Sequence, residues 1–221
     1  MPVEGDYGES DDSYFGVMIA IVDYQMGNLR SVQRGFARVG HESTVTDDPQ
    51  LLKQADKVIL PGVGAFADAM EQLHHRKLVQ PLQSLAESGK PLLGICLGLQ
   101  LLFEKSHENG THAGLGILPG EVVPFQNLPP ECKIPHMGWN QLEMRKECPL
   151  VGGIAAHAFF YFVHSYYVVP TDKKVVAAET DYAGHFVSMI SSQNIFATQF
   201  HPEKSQRAGL QMLRNFATIQ S

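Results

Sequence analysis

Pro91-Leu92-Leu93-Gly94-Ile95-Cys96-Leu97-Gly98-Leu99-Gln100-Leu101-Leu102-Phe103 is the stretch from which the rest of the chain can be read. Pro91 to Ile95 is a short, unbroken apolar run, the pattern of a strand buried on both faces. After Cys96, Leu99, Leu102 and Phe103 recur at helical spacing. A strand that turns directly into a helix needs small residues at the corner, and Gly94 and Gly98 flank the cysteine there. G-x-nucleophile-x-G is the form of a nucleophile elbow, with cysteine in place of the usual serine. A thiol at a helix start meets the positive end of the helix dipole, which favours the nucleophilic thiolate. A cysteine between a strand and a helix also reads as a small apolar filler, so the elbow needs partners elsewhere in the chain.

Working back toward the N-terminus, the same alternation repeats. Val17 to Val22 reads as a strand and Asn28 to Val39 as a helix closed by Gly40. A short strand near Glu42 to Val45, a turn at Asp47-Asp48-Pro49 and a buried run Lys57 to Leu60 follow. A long helical stretch from about Ala67 to Ser88 is ended by Gly89. Alternating units of this kind form a parallel sheet whose sites gather at the carboxyl ends of the strands, which places Cys96 at such an end. Beyond Gly114 the texture becomes strand-rich, with runs Glu121 to Phe125, Phe159 to Val169, Val175 to Glu179, His185 to Ser191 and Ile195 to Phe200. A final helix, about Ser205 to Ile219, carries Leu210, Leu213, Phe216 and Ala217 on one face and is expected to cover the sheet. The expected fold is an α/β domain over residues 17–221 with a mixed, mostly parallel central sheet flanked by helices, plus an added antiparallel strand region.

The 221 residues, 44% of them hydrophobic, suffice for one core. The formal charge of −6 lacks the basic face that phosphate neutralisation needs, which argues against nucleic acid as a partner. Glu4, Asp6, Glu9, Asp11 and Asp12 make residues 1–16 acidic and leave the remainder nearly neutral. That opening has neither the basic start and apolar run of a secretory signal nor enough apolar residues to pack, so it is expected to be a disordered extension. Three cysteines, Cys96, Cys132 and Cys148, and no apolar stretch of membrane-spanning length fit a reducing cytoplasm.

Candidate partners for Cys96 stand at the other end of the chain, where Ile195 to Phe200 runs into His201-Pro202-Glu203. Pro202 biases His201 toward the extended region, and residues two apart in an extended chain share a side, so Glu203 can hold one imidazole nitrogen while the other faces the thiol. That is the division of labour of a nucleophile, a base and its orienter. A metal site on His201 and Glu203 is the competing reading, but no further cluster completes a ligand set. Acyl transfer also needs donors for an oxyanion. Pro61-Gly62-Val63-Gly64 directly follows a buried run, where its backbone N–H groups, together with that of Leu97, could turn inward. In isolation, P-G-x-G reads equally well as a plain turn.

Together, Pro61 to Gly64, Gly94 to Gly98 and His201 to Glu203 resemble the class I glutamine amidotransferases, a family of flavodoxin-like architecture. Tyr24 to Leu29, Pro61 to Phe66, Pro135 to Asn140 and His201 to Ser205 are most similar to the glutaminase subunits of imidazole glycerol phosphate synthases, and the similarity spans Val17 to the C-terminus. The resemblance implies that Cys96, His201 and Glu203 form a triad that releases ammonia from glutamine through a glutamyl thioester. It implies that Val63 and Gly64 form the oxyanion strand, and that Gln100, Glu108, Ser165 and Tyr166 hold the amino-acid end of glutamine. It also implies a (βα)8-barrel cyclase as the partner that consumes the ammonia in histidine biosynthesis, with Asn28, Trp139, Tyr161 and Lys204 at the partner-facing mouth, and no cofactor or metal. Three readings remain beside it: the glutaminase of another synthase, of the anthranilate or aminodeoxychorismate type, a stand-alone cysteine hydrolase, and a non-catalytic module.

Overall fold

A computed structural model describes residues 17–220; the acidic segment 1–16 lies outside the described residues. In chain order the elements are β1 (Ile19–Val22), α1 (Leu29–Arg38), β2 (Ser43–Thr46), α2 (Pro49–Gln54), β3 (Lys57–Gly62), α3 (Phe66–His75), α4 (Val79–Glu87), β4 (Leu92–Cys96) and α5 (Leu97–Leu101). The strand-rich half continues with β5 (Phe103–Ser106), β6 (His112–Ala113), β7 (Leu118–Pro124), β8 (His136–Gln141), β9 (Glu143–Met144), β10 (Phe159–His164), β11 (Tyr166–Pro170), β12 (Val176–Asp181), β13 (His185–Ser192) and β14 (Ile195–Thr198), before α6 (Gln206–Thr218).

The sheet is organised around the apolar runs. Strands β2-β1-β3-β4-β14 lie side by side and all parallel. Every residue of β1, β3, β4 and β14 is buried, as expected for strands covered on both faces. The period of two sorts them: Ile19, Ile21, Ile59, Leu93 and Ile95 pack with Phe36 of α1 and Leu213 and Phe216 of α6. Ala20, Val22, Val58 and Leu60 pack on the opposite face with Leu52 of α2, Leu73 of α3 and Leu82 of α4. From β14 the sheet continues through antiparallel β13, β11 and β7, and β8 with β10 forms a separate antiparallel pair. The fold is therefore the mixed α/β arrangement expected, with the parallel block carrying the carboxyl ends of β3, β4 and β14 to one edge.

Four local readings change. The single helix expected over Ala67 to Ser88 is two, because Lys77 takes φ +58°. Its N–H bonds His74 O at 3.0 Å, while that of Leu78 reaches Leu73 O at 2.9 Å. This is a Schellman stop with buried Leu73 and Leu78 as its apolar contact, and a lysine stands where glycine usually signals the end. The turn at Asp47-Asp48-Pro49 is the start of α2: Asp48 Oδ1 accepts from the N–H of Gln50 and Pro49 occupies the first turn. The helix after Cys96 ends at Leu101, and Phe103 begins a strand. The run Phe159 to Val169 is two strands, because the chain leaves the β8–β10 pair and joins the main sheet at Ser165.

Candidate active site

The elbow is built by steric necessity. Cys96 closes β4 with φ +55° and ψ −109°, a conformation a non-glycine residue holds only when its surroundings over-determine it. A Cβ on Gly98 would stand 1.8 Å from the carbonyl oxygen of Leu60, and one on Gly94 2.9 Å from that of Gly98, so strand and helix approach as closely as only glycine permits. Cys96 is 6% exposed, and its thiol donates weakly to Val163 O at 3.9 Å.

The parallel register brings the other parts to the same edge. Gly62 pairs with Cys96 across β3 and β4, and Thr198 pairs with Ile95 across β14 and β4, so the chain after Thr198 emerges beside the thiol. His201 is extended, at φ −101° and ψ 98°, and Pro202 to Lys204 make one tight turn that brings Glu203 back. The Nδ1–H of His201 donates to Glu203 Oε1 at 2.9 Å, with both side chains at most 2% exposed. The backbone of His201 is clamped as well: its N–H donates to Tyr161 O at 2.9 Å and its carbonyl accepts from Ser205 Oγ at 2.6 Å. Nε2 of His201 has no hydrogen-bond partner among the described residues. Burial pushes this imidazole down, but negative charge on Cys96 and on Glu203 outweighs it and raises the group to about 10.

Cys96 and His201 open into one cavity of about 320 Å³, shared with Val63, Gly64, Leu97, Gln100, Glu108, Ser165 and Tyr166. The structure thus brings together every residue that the sequence reading assigned to the triad, the oxyanion strand and the amino-acid end of the substrate, with Glu203 behind His201. Gly64 sits at φ +101°, and a Cβ there would meet Met26 Cε at 2.9 Å. Glu108 also serves the backbone, because its Oε2 accepts from the N–H of Phe66 at 2.7 Å and so caps α3, whose own Ala65 offers no side-chain cap. Gln100 donates from Nε2 to Tyr166 O at 3.0 Å.

Of the four expected interface residues, three meet. Trp139 and Tyr161 are register partners across β8 and β10, their rings edge to face at 5.9 Å, and Lys204 Nζ lies 5.7 Å over the Tyr161 ring. Trp139 is 45% exposed, with exposed Met137 and Phe159 on the same pair of strands. Asn28 is exposed too, and its side chain accepts from Ser31 N–H as the N-cap of α1.

Some residues at the site escaped the sequence reading. Tyr24, fully buried, donates its hydroxyl to Pro61 O at 2.7 Å and so pins the Pro61 to Gly64 segment. Burial, with Cys96 nearby, pushes its phenol far up, which keeps it a neutral donor. His164 lines the cavity. Its Nδ1 faces Tyr166 O at 2.9 Å, and a carbonyl only accepts, so Nδ1 carries the proton. Nε2 of His164 then accepts from Nδ1 of His136 at 3.0 Å, and Nε2 of His136 faces the Asn140 amide at 3.4 Å. Both rings are neutral in this arrangement, in keeping with burial pushing His136 down to about 4 and His164 to about 3. Gln199 is the third, fully buried two residues before His201. The alternation argument that picked out Glu203 would have found it.

The family described as "Glutamine amidotransferase class-I" matches residues 20–219. The imidazole glycerol phosphate synthase subunit HisH of Syntrophotalea carbinolica is 55% identical over 206 residues, covering 91% of this chain and 100% of the relative. That of Rhodopirellula baltica is 53% identical over 201 residues, covering 91% and 97%. Among solved structures, PurLQS from Thermotoga maritima superposes with a TM-score of 0.70 at 19% identity, covering 91% of this chain and 97% of the other, and so shares the fold. The elbow, the parallel edge that carries it and the extent of these likenesses have one reading: the chain belongs to the class-I glutamine amidotransferase family, among the HisH subunits of imidazole glycerol phosphate synthase.

Proposed function

We propose that this chain is the glutaminase subunit of an imidazole glycerol phosphate synthase, which hydrolyses glutamine and passes the ammonia to a (βα)8-barrel cyclase in the cytoplasm. The observation that carries this reading is the orientation of His201: Nδ1 is committed to Glu203, while Nε2, without a partner among the described residues, lies in the cavity that also holds the Cys96 thiol.

Cys96, as thiolate, attacks the side-chain carboxamide carbon of glutamine, and the carbonyl oxygen becomes an oxyanion. The backbone N–H groups at Val63, Gly64 and Leu97 receive that charge, and each well-aimed donor is worth on the order of 10²- to 10³-fold in rate. The protonated His201 gives its Nε2 proton to the departing nitrogen, so ammonia leaves and a glutamyl thioester remains. The neutral imidazole then takes a proton from water as it attacks the thioester, which releases glutamate and regenerates thiolate and imidazolium. Glu203 holds the ring in place and stabilises its charge throughout. Gln100, Glu108, Ser165 and Tyr166 hold the amino-acid end of the substrate.

Free ammonia in neutral water takes up a proton and loses its lone pair, which gives a sealed partner interface its purpose. Trp139, Tyr161 and Lys204, with exposed Met137 and Phe159, supply an aromatic and charged patch suited to it. The identity to HisH subunits disfavours the anthranilate or aminodeoxychorismate type of partner. The test is glutamate release by the chain alone and with the purified cyclase and its nucleotide ligand. Activation by that pair supports the reading. Full activity of the chain alone, or activation only by another synthase, defeats the partner assignment.

A further inference from the structure

We propose that Gln199 is a positioning residue that ties the occupancy of the glutamine site to the state of the nucleophile; this rests on the glutaminase reading above. Gln199 is fully buried, and its N–H donates to Ser188 O at 2.9 Å, which fixes the strand that carries it. The register Thr198 to Ile95 sets it beside Cys96 across a parallel pair. Its side chain bridges two groups of the site: Nε2 donates to Cys96 Sγ at 3.8 Å, and Oε1 accepts from Gln100 Nε2 at 3.1 Å.

The direction of this relay follows from what each atom can do. A thiolate only accepts, so Gln199 must turn its N–H to the sulfur and its oxygen to Gln100. Gln100 must then present its own N–H, and the second hydrogen of that nitrogen goes to Tyr166 O at 3.0 Å. Both donors of the Gln100 amide are thereby spent inside the protein, and its carbonyl oxygen is the atom left for a ligand. An acceptor there suits a ligand N–H. One sulfur charge thus sets the orientation of two buried amides and decides that the Gln100 side chain meets the substrate as an acceptor. The contact to sulfur is charge-assisted only when Cys96 is a thiolate, whereas the contact to Val163 O requires the thiol, so Gln199 favours the reactive form.

The experiment follows alkylation of Cys96 by iodoacetamide across pH in the full chain bound to its cyclase, with the Cys96 peptide quantified by mass spectrometry so that Cys132 and Cys148 do not contribute. Gln199→Leu removes the donor to sulfur and moves the half-maximal pH up by about one to two units, the shift expected from losing a hydrogen bond to a charged group. Gln199→Glu, closer in shape, moves it up as well by placing a carboxylate against the sulfur, and covers the case in which the leucine variant fails to fold. Gln100→Leu leaves the sulfur contact in place, so it raises the KM for glutamine and moves the alkylation profile less than Gln199→Leu does. Profiles of both Gln199 variants within a few tenths of a unit of the parent overturn the proposal. Loss of glutamate release in Cys96→Ala is scored separately, so a failure of the glutaminase reading is distinguishable from a failure of the relay.

Discussion

His201 and Glu203 meet through a single 2.9 Å hydrogen bond inside a side-chain environment almost closed to water, and the second carboxylate oxygen of Glu203 has no partner among the described residues. The pair is therefore held by one contact, and what that contact supplies is charge and direction rather than a network. Glu203→Gln keeps the shape and removes the charge. The expected outcome is a retained fold by circular dichroism and a fall in kcat for glutamate release on the order of 10³- to 10⁴-fold, as for removal of a triad's orienting carboxylate. A loss below tenfold in the cyclase complex would show that Glu203 does not orient the base.

Gly98 offers a stricter test of the elbow. Alanine there places a methyl 1.8 Å from the Leu60 carbonyl oxygen and 2.8 Å from its carbon, and a backbone wall cannot swing aside as a side chain can. Chemical denaturation of Gly98→Ala is expected to show a loss of about 3 kcal/mol or more, at the upper end for overpacking. A midpoint unchanged from the parent contradicts the described closeness of β3 and α5.

Much of this is legible in the residues alone. The runs that became β1, β3 and β4 are unbroken and apolar because both faces are covered, and a short buried strand next to Gly-x-Cys-x-Gly has few other readings. Lys77 is opaque for a physical reason: the apolar period continues across it, and the left-handed stop is set by the packing of Leu73 and Leu78 rather than by a glycine. The exchange of sheets at Ser165 is equally hidden, since one β-prone run serves two sheets. Strand β8 escapes because His136-Met137-Gly138-Trp139-Asn140-Gln141 is poor in β-branched residues; only its pairing with β10, His136 opposite His164, makes it a strand. That register also creates the buried histidine pair.

That pair gives the protein an acid-side liability. Folded His136 titrates near 4 and His164 near 3, both below the 6.5 of an unfolded histidine. Above pH 6.5 neither state carries the proton and the pair is neutral in effect. As pH falls from 6.5 toward 4, the unfolded chain binds protons that the folded chain refuses, so stability drops by up to about 1.4 kcal/mol per pH unit for each ring. His201 runs the other way: raised to about 10, it contributes stability that is present below 6.5 and lost as pH rises toward 10. Urea midpoints of the parent and of His136→Gln across pH 7.5 to 4.5 test the acid side. The variant is expected to show a flatter decline, and an equal slope in both would mean that His136 is protonated in the fold.

The aromatic patch makes a prediction about assembly. Trp139 exposes 45% of its surface while packed on Tyr161, the profile of a preformed anchor. Trp139→Ala is expected to weaken cyclase binding by about thirtyfold, near 2 kcal/mol, without altering the melting of the free chain. Asn28→Ala should do the reverse, costing about 1 kcal/mol of stability through the lost cap of α1 with little change in docking. Calorimetric titration and thermal melts of the two variants separate the roles, and equal effects of both on binding would show that Asn28 contributes to docking as well as to the cap.

Glutamine hydrolysis at this site passes through a covalent bond between Cys96 and the substrate under the proposed mechanism. Acid-quenching the cyclase-bound chain during turnover of radiolabelled glutamine, followed by peptide mapping, tests it most directly. Label on the peptide containing Cys96, absent from the Cys96→Ala protein together with glutamate release, is the predicted result. Glutamate release that persists in Cys96→Ala at the parent's rate, with no label on that peptide, would contradict it.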